Sequence, residues 1–238
     1  MKSDGRMNST LRFRGQVECV FQNVDLASQS GGGVRRIMYI ESEEELRALY
    51  GFPEGRTREK GLSALEFHSI NFISNSPFVV VSTHCKNGMA DSSPRGGKAG
   101  FVKVIDKQCI VIPDAKGNRR LDSLVNIVHT GNIGCLFLIP GVDETLRVNG
   151  TARISTNQDF LDLFSEEENI PKTCIEVAVS EVFLHCAKAL MRSRLWSPAS
   201  LVERSTFPTM GQMLKDQLGS KGEPESRLDM IRRYESEL

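Results

Sequence analysis

The sequence predicts a mainly β fold with flanking helices, in which the strands form an antiparallel barrel or sandwich. Apolar runs over residues 78–83, 101–105 and 109–112 are typical of strands, and three polar residues join the last two in hairpin fashion. Residues 133–140 are largely apolar, whereas 145–155 and 174–185 alternate between apolar and polar side chains. About six strands at hairpin spacing favour this arrangement over a doubly wound sheet.

Helical patterns flank and interrupt the strands. Ser42 is a candidate N-cap for a helix over residues 42–50, and the apolar spacing predicts an amphipathic helix over 57–74. Residues 91–100 are rich in turn formers. Further helices are predicted over 157–164, 185–196, 210–218 and 227–237. The predicted organisation is an N-terminal arm (1–40), a main domain (41–219) and a helical C-terminal tail (220–238).

Composition narrows the class of protein. The 238 residues include 30 basic and 30 acidic side chains, and this balance argues against a nucleic-acid or membrane-surface binder. No apolar run reaches transmembrane length, and the first residues lack the apolar region of a signal peptide. The six cysteines are scattered without a CxxC pair. This usage is typical of reduced, packed thiols in a cytoplasmic protein.

The most informative segment is residues 117–127, with the sequence GNRRLDSLVNI. Asn118 is a candidate N-cap, which places Arg119 and Arg120 in the first turn of a predicted helix. Cations are unfavourable at this end of an isolated helix because it carries about half a positive charge. Two arginines beside free backbone N–H groups therefore indicate an anion site, and phosphate suits the planar guanidinium. The alternative is a pair of solvated surface arginines.

Several motifs in a fixed order resemble the pyridoxamine 5'-phosphate oxidase-like flavoproteins, the FMN-binding split barrels. The motifs are SSPRGG (92–97), FVKVID (101–106), IVIPDAKGNRRLDSLVNI (110–127), LFLIPGVDETLRVNG (136–150) and HCAKALMRSRLW (185–196). Together they resemble one uncharacterised branch of that superfamily. The resemblance implies a six-stranded split β-barrel homodimer with one FMN per protomer at the dimer interface.

The resemblance also assigns residues to the cofactor. The basic pair that holds the FMN phosphate in the family corresponds to Arg119 and Arg120, which is the anion site inferred above. The strand end lying along the flavin corresponds to Ile112 and Pro113, and Thr145 begins a strand that contributes across the interface. The full set of candidate cofactor-binding residues is Ser93, Arg95, Lys103, Ile112, Pro113, Asn118, Arg119, Arg120 and Thr145.

One stretch departs from the vitamin B6 oxidase pattern. In that enzyme the substrate phosphate is held by Tyr, Arg and Ser side chains on the helix after the strand that begins here at Thr145. The corresponding residues 160–169 (FLDLFSEEEN) are acidic instead. Because like charges repel when desolvated, this composition argues against a vitamin B6 phosphate as substrate.

Candidate substrate-binding residues follow from a second pattern. On a helix through residues 185–196, His185, Arg192 and Trp196 would share one face with Ala189, at spacings of four, three and four. Such a stripe beside a flavin could bind an anionic or aromatic substrate, and Arg147 is the charged residue of the preceding strand. The alternative is that Trp196 packs the helix on the barrel and Arg192 pairs with an acid.

Other patterns carry weaker chemistry. The pairs His84-Cys85 and His185-Cys186 contain zinc-ligand residue types, but adjacent strand residues point to opposite faces, so we expect no metal site. A Cys–His nucleophile is equally unsupported. The SSPRGG segment matches neither a dinucleotide-binding fingerprint nor a P-loop and by itself indicates a turn, although its N–H groups and Arg95 could reach the same phosphate as Arg119.

The resulting functional hypothesis is an FMN-dependent oxidoreductase, in which the flavin supplies the redox chemistry and the protein positions it. No residue presents itself as an essential acid or base. The expected partners are a second copy of the chain and a small-molecule substrate or redox partner. The alternatives are a non-catalytic flavin carrier or electron-transfer protein, a haem- or deazaflavin-binding split barrel, and a binding module that has lost the cofactor.

Overall fold

The computed structural model describes residues 39–114 and 116–235, so the predicted N-terminal arm lies almost entirely outside the described residues. The described residues fall into two units divided after Phe52. The first contains helix α1, and the second contains all other elements. The helices are α1 (Glu43–Tyr50), α2 (Arg56–Glu59), α3 (Phe67–Asn75), α4 (Asp122–Thr130), α5 (Gln158–Leu161), α6 (Lys188–Ser193), α7 (Met210–Leu218) and α8 (Arg227–Glu235).

Within the described residues, seven strands form one antiparallel sheet in the order β2-β1-β5-β6-β7-β4-β3. The mainly β, antiparallel prediction is therefore confirmed, whereas the predicted number of six strands is wrong. The edge strands β2 and β3 do not pair with each other, so the sheet is not closed. The strands are β1 (Phe78–His84), β2 (Ala90–Gly96), β3 (Lys103–Asp106), β4 (Cys109–Pro113), β5 (Asn132–Leu138), β6 (Thr145–Ser155) and β7 (Cys174–His185).

The additional strand is β2, in the segment whose composition predicts turns. It pairs along its whole length with β1, from Phe78↔Gly96 to His84↔Ala90. Its sequence ADSSPRG has almost no β propensity, and Pro94 lacks a backbone N–H. An edge strand tolerates such residues because only one side of its backbone is paired. Pairing with β1 therefore outweighs the local preference for a turn.

Two predicted helices are also shorter than expected. The helix predicted over 57–74 is interrupted because Leu62 exchanges two backbone hydrogen bonds with Val182, at 2.9 and 2.8 Å. The second half then begins anew as α3 with a capping box between Glu66 and Ser69. The helix predicted over 185–196 is reduced to α6, because β7 continues to His185 and Arg194 ends the helix in a left-handed conformation.

Other local signals are confirmed. The Ser42 side chain caps α1 by accepting from Glu45 N at 3.1 Å. Thr156 and Asn157 are both cap candidates for the helix predicted over 157–164, and it is Asn157 that caps α5 by accepting from Asp159 N at 3.1 Å. Strands β6 and β7 and helix α7 have the bounds that their sequence patterns predict. Strong periodicity over nine or more residues therefore located these elements well.

The hydrophobic core lies on one face of the sheet and beneath α3 and α4. Buried side chains from β1, β5, β6 and β7 largely alternate with more exposed ones, whereas Ile110, Val111 and Ile112 of β4 are all buried. Val111 packs in a second, smaller cluster with Phe164 and Cys174. All five described cysteines are free. Burial raises the pKa of Cys135 to about 12 and that of Cys174 to about 11, so these two thiols are protonated and unreactive near neutrality.

A β-bulge lies where the two longest strands pair. The register of β6 against β7 shifts between Asn149 and Gly150. A Cβ on Gly150 would overlap the backbone carbonyl of Ala178. The close approach therefore requires glycine at this position.

No helix in the described part of the chain is long and apolar enough to cross a membrane.

Candidate functional site

Strand β2 presents three polar side chains on its more buried face. Asp91, Ser93 and Arg95 alternate with exposed neighbours along the strand, as the period of two requires. Arg95 donates from Nη1 to Ser93 Oγ at 2.5 Å and to the carbonyl of Pro94 at 2.9 Å. Pairing with β1 fixes the direction in which all three side chains project.

The segment between β4 and α4 departs from the predicted helix start. Helix α4 begins at Asp122, so Arg119 and Arg120 precede the helix and Asn118 is not its N-cap. The reason is the left-handed backbone at Arg119 (φ 63°) and Leu121 (φ 57°), which interrupts the helical path. Asn118 instead closes a turn by accepting from Arg120 N at 3.1 Å.

This segment combines two features typical of functional loops. Its left-handed non-glycine residues cost about 1 kcal/mol each or more, and such strain concentrates at binding sites. The helix that follows has no side-chain cap, because its N-cap residue is Leu121. The first N–H groups of α4 are therefore available to an anion, as the helix dipole also favours.

Two side-chain hydrogen bonds fix α4 against the first hairpin. Ser123 Oγ donates to Asp91 Oδ2 of β2 at 2.8 Å. Asn126 Nδ2 donates to Thr83 Oγ1 of β1 at 3.0 Å, and both of these residues are buried. Together they hold the uncapped end of α4 beside the polar face of β2.

A pocket of about 1220 Å³ lies between these elements. Its walls come from β2, the end of β4, the segment 116–121, the first turn of α4, the 168–172 loop and the last turn of α8. Six cationic and four acidic side chains line it, so the lining carries a net positive charge. They are Arg95, Lys116, Arg119, Arg120, Lys172 and Arg233, and Asp91, Asp114, Asp122 and Glu168.

Two arginines of the pocket are well placed for an additional acceptor. Arg95 Nε is buried and has no hydrogen-bond partner among the described residues, although an unpaired buried donor is costly. Arg119 forms no hydrogen bond or ion pair with any described residue. Arg120 pairs with Asp122 at 2.5 Å, but its side chain is 78% exposed, so this pair is worth little and can exchange for a ligand. The donor set fits a phosphate.

The sequence match is consistent with this geometry. Residues 70–186 match the family described as pyridoxamine 5'-phosphate oxidase. This segment of the chain belongs to the pyridoxamine 5'-phosphate oxidase-like family. The matched segment contains β2, β4, the arginine segment and α4, which together form most of the pocket wall. No curated protein matches the sequence.

Several solved structures resemble the chain over about half its length. HupZ of Group A Streptococcus is 18% identical, with a TM-score of 0.43 over 50% of this chain and 94% of HupZ. General stress protein 26 of Bacillus anthracis is 13% identical, with a TM-score of 0.37 over 48% of this chain and 88% of that chain. A related protein of Clostridium acetobutylicum, of the pyridoxinephosphate oxidase family, is 12% identical, with a TM-score of 0.39 over 50% and 85%. The family assignment rests on the sequence match.

Six of the nine candidate cofactor-binding residues line the pocket of this family member: Ser93, Arg95, Pro113, Asn118, Arg119 and Arg120. The other three do not. Ile112 and Thr145 are buried in the sheet. The ammonium group of Lys103 lies 5.6 Å from the centre of the Phe164 ring.

The candidate substrate residues also lie outside the pocket. Arg147 stacks over Phe183 at 4.9 Å, and Trp196 Nε1 donates to the carbonyl of Val142 at 2.9 Å. The predicted stripe is wrong, since His185 ends β7 whereas Arg192 belongs to α6. His185 Nδ1 is buried without a hydrogen-bond partner among the described residues. The described residues contain no cluster of three or more metal-ligating side chains.

Sequence reasoning missed three parts of the pocket wall. Lys116 lies within the motif of residues 110–127 but is not among the predicted binding residues. Lys172 lies in the loop before β7, and Arg233 and Tyr234 lie on α8. No local sequence pattern identifies Lys172, Arg233 or Tyr234 as pocket residues. The tertiary fold brings them to the pocket from distant parts of the chain.

Among the acidic residues that line the pocket, Asp114 has a carboxyl group with a raised pKa. Burial raises the pKa of its carboxyl, and the positive charge of Arg95 opposes this rise. The raised pKa means that the folded chain binds the proton more tightly than the unfolded chain does. The protonated Asp114 carboxyl therefore makes its full contribution to the free energy of unfolding below the pKa of the unfolded chain. This contribution is lost as pH rises through the pKa of the folded chain.

We expect Asp114→Asn to raise the urea midpoint at about pH 7 and to change it less at about pH 4, because only the ionised carboxylate pays the desolvation cost. Urea titrations of both proteins at the two pH values measure this difference. The exposed Glu223→Gln variant is the control, and its midpoint should follow that of the unmodified protein. A lower midpoint for Asp114→Asn at neutral pH would mean that the carboxylate makes a net stabilising interaction.

Proposed function

We propose that this protein is an FMN-binding flavoprotein and an oxidoreductase with the split-barrel architecture of its family. The observation that carries the proposal is the convergence of Arg95, Arg119 and the uncapped start of α4 on one large pocket. Each of these groups can donate to a phosphate. The pocket volume exceeds the range of about 300–1000 Å³ usual for small-ligand sites, so it has room for a nucleotide and a second molecule.

The residues divide into two roles in this proposal. Arg95, Arg119 and Arg120 neutralise the phosphate, and the Ser93 hydroxyl lies beside them as a further donor. The backbone at Pro113 and the side chains of Phe101 and Ile170 provide the less polar part of the wall. A bound flavin supplies the electron transfer. The chain holds and orients it, and no lining residue needs to act as an acid or base.

The substrate is proposed to differ from a vitamin B6 phosphate. Glu168, from the acidic stretch 160–169, lines the pocket. A carboxylate at this wall disfavours a second phosphate close to it. Lys172 of the same loop also lines the pocket, and its ammonium group can bind a carboxylate or another singly charged anion.

We also propose that the protein acts as a homodimer. Val125 and Val128 are exposed on α4, and Leu121, the residue that precedes the helix, is exposed as well. Of these apolar side chains, Leu121 also lines the pocket. Arg147, Arg192 and Trp196 do not line the pocket within one chain, so they can contribute only from a second copy. Light scattering of the purified protein measures the oligomeric state directly.

The decisive experiment is an absorption spectrum of the purified 238-residue protein, before and after incubation with FMN and desalting. Retained flavin bands would support the proposal, and oxidation of NADH or NADPH by the loaded protein would then support an enzyme. Retained flavin without turnover would favour a carrier or electron-transfer protein. A colourless protein that cannot retain FMN would contradict the proposal. A Soret band after haem addition, or retention of a deazaflavin alone, would indicate another cofactor.

A further inference from the structure

The C-terminal helix contributes an aromatic side chain to the pocket. Tyr234 of α8 is a lining residue and is 41% exposed. The other aromatic lining residue, Phe101, is 6% exposed and belongs to the hydrophobic core. Among the described residues, Tyr234 is therefore the aromatic ring of this pocket that a ligand can reach.

A defined set of contacts holds Tyr234. The guanidinium of Arg233 lies over its ring, 4.6 Å from the centroid. Glu225 accepts two hydrogen bonds from Arg233, from Nε at 3.0 Å and from Nη2 at 2.9 Å. This bidentate pair spans eight residues and connects the segment before α8 to its last turn. The Tyr234 ring is therefore positioned by Arg233, which Glu225, just before the helix, holds in place.

The start of α8 is fixed against α7. The backbone of α7 approaches Glu225 so closely at Gly211 that a Cβ there would overlap the carbonyl oxygen of Glu225. The Ser226 hydroxyl accepts from Asp229 N at 3.1 Å at the beginning of the helix. These contacts join α8 to α7, and Arg233 and Tyr234 of its last turn line the pocket.

We propose that the Tyr234 ring stacks on the planar ring system of the bound flavin, with Arg233 and Glu225 as positioning residues. The inference rests on the proposed function. A flavin ring is flat and aromatic, and its faces require flat partners if they are to be removed from water. Tyrosine provides such a face. In this proposal the phosphate is bound by Arg95 of β2 and by Arg119 and Arg120 before α4.

The first test compares FMN with riboflavin, which has the same ring but no phosphate. Tyr234→Ala is expected to weaken binding of both ligands by about tenfold, which is about 1.4 kcal/mol and within the range for stacking on an aromatic side chain. Tyr234→Phe should remain within about twofold of the unmodified protein, because it keeps the ring. Arg232→Ala is the matched control, since Arg232 is the adjacent α8 arginine and does not line the pocket.

A second readout does not depend on affinity. A tyrosine phenol in contact with an excited flavin donates an electron and quenches its fluorescence, whereas a phenylalanine ring does not. FMN bound at saturation should therefore be more fluorescent in Tyr234→Phe than in the unmodified protein. The same fluorescence in both proteins would overturn the stacking contact.

The positioning pair has its own variant. Glu225→Gln keeps every pocket-lining side chain but weakens the hold on Arg233, so it should partly relieve the quenching and weaken both ligands less than Tyr234→Ala does. Equal binding of FMN by unmodified protein and Tyr234→Ala would overturn this inference and leave the proposed function intact. Failure of the unmodified protein to bind either ligand would overturn both. A loss seen with FMN alone would place Tyr234 at the phosphate, against the proposal.

Discussion

Replacement of both Arg119 and Arg120 by alanine is expected to weaken FMN binding by about 100-fold or more and to leave riboflavin binding nearly unchanged. A hydrogen bond to a charged group contributes about 1.5–3 kcal/mol, and each factor of ten corresponds to about 1.4 kcal/mol. Two such contacts therefore account for a loss of this size. Riboflavin lacks the phosphate and has nothing to lose from the change. Fluorescence titration with both ligands measures the ratio.

The two single variants should differ. Arg119 has no partner among the described residues, whereas Arg120 must first exchange its pair with Asp122 for the ligand. We therefore expect Arg119→Ala to be the more damaging of the two.

The matched control is the double variant Arg56→Ala with Arg58→Ala. Both residues are exposed arginines of α2, outside the pocket lining, and their removal changes the net charge by the same amount. FMN affinity should survive this change. Equal losses for FMN and riboflavin in the Arg119/Arg120 variant would indicate damage to the pocket rather than loss of a phosphate contact. Unchanged FMN affinity in that variant would mean that the phosphate binds elsewhere and not at Arg119 and Arg120.

Gly150→Ala is expected to lower the free energy of unfolding by about 3 kcal/mol, at the upper end of the usual cost of overpacking. The added Cβ would overlap the carbonyl oxygen of Ala178 on the neighbouring strand. Both partners are backbone, in the two longest strands of the sheet, so neither can rotate away. The strands must separate locally or the bulge must shift register.

Urea denaturation of the two proteins measures this loss as a lower midpoint with a similar slope. Gly61→Ala is the control, because its Cβ would meet only the flexible carboxylate end of Glu181, at 3.4 Å. We expect that variant to remain close to the unmodified protein. An unchanged midpoint for Gly150→Ala would mean that β6 and β7 can shift past each other at the bulge.

Local sequence patterns predicted some residues of the candidate site but not their backbone conformation. The arginine pair indicates a site because two cations at a predicted helix start are electrostatically unexpected, and both residues do line the pocket. Their backbone conformation was predicted incorrectly. The left-handed residues Arg119 and Leu121 have no signature in composition, because neither is a residue type that favours that region.

Strand β2 shows the opposite relation between sequence and structure. Its polar residues with Pro94 and a terminal glycine predict a turn, yet they form an edge strand that delivers Ser93 and Arg95 to the pocket. The stripe of His185, Arg192 and Trp196 failed for a related reason. Backbone pairing with β6 extends β7 to His185, and this outweighs the helical spacing.

The sequence by itself determined the antiparallel β class, the bounds of β6, β7 and α7, and the family. The class and the bounds depend on periodicity and caps, which act over a few neighbouring residues, and the family depends on the order of motifs along the chain. Only the tertiary structure decided that β2 is a strand, that the buried Arg95 Nε lacks a partner, and that Lys172 and Tyr234 complete the pocket. Such features arise from contacts between residues far apart in the chain, and local preferences contain no information about those contacts.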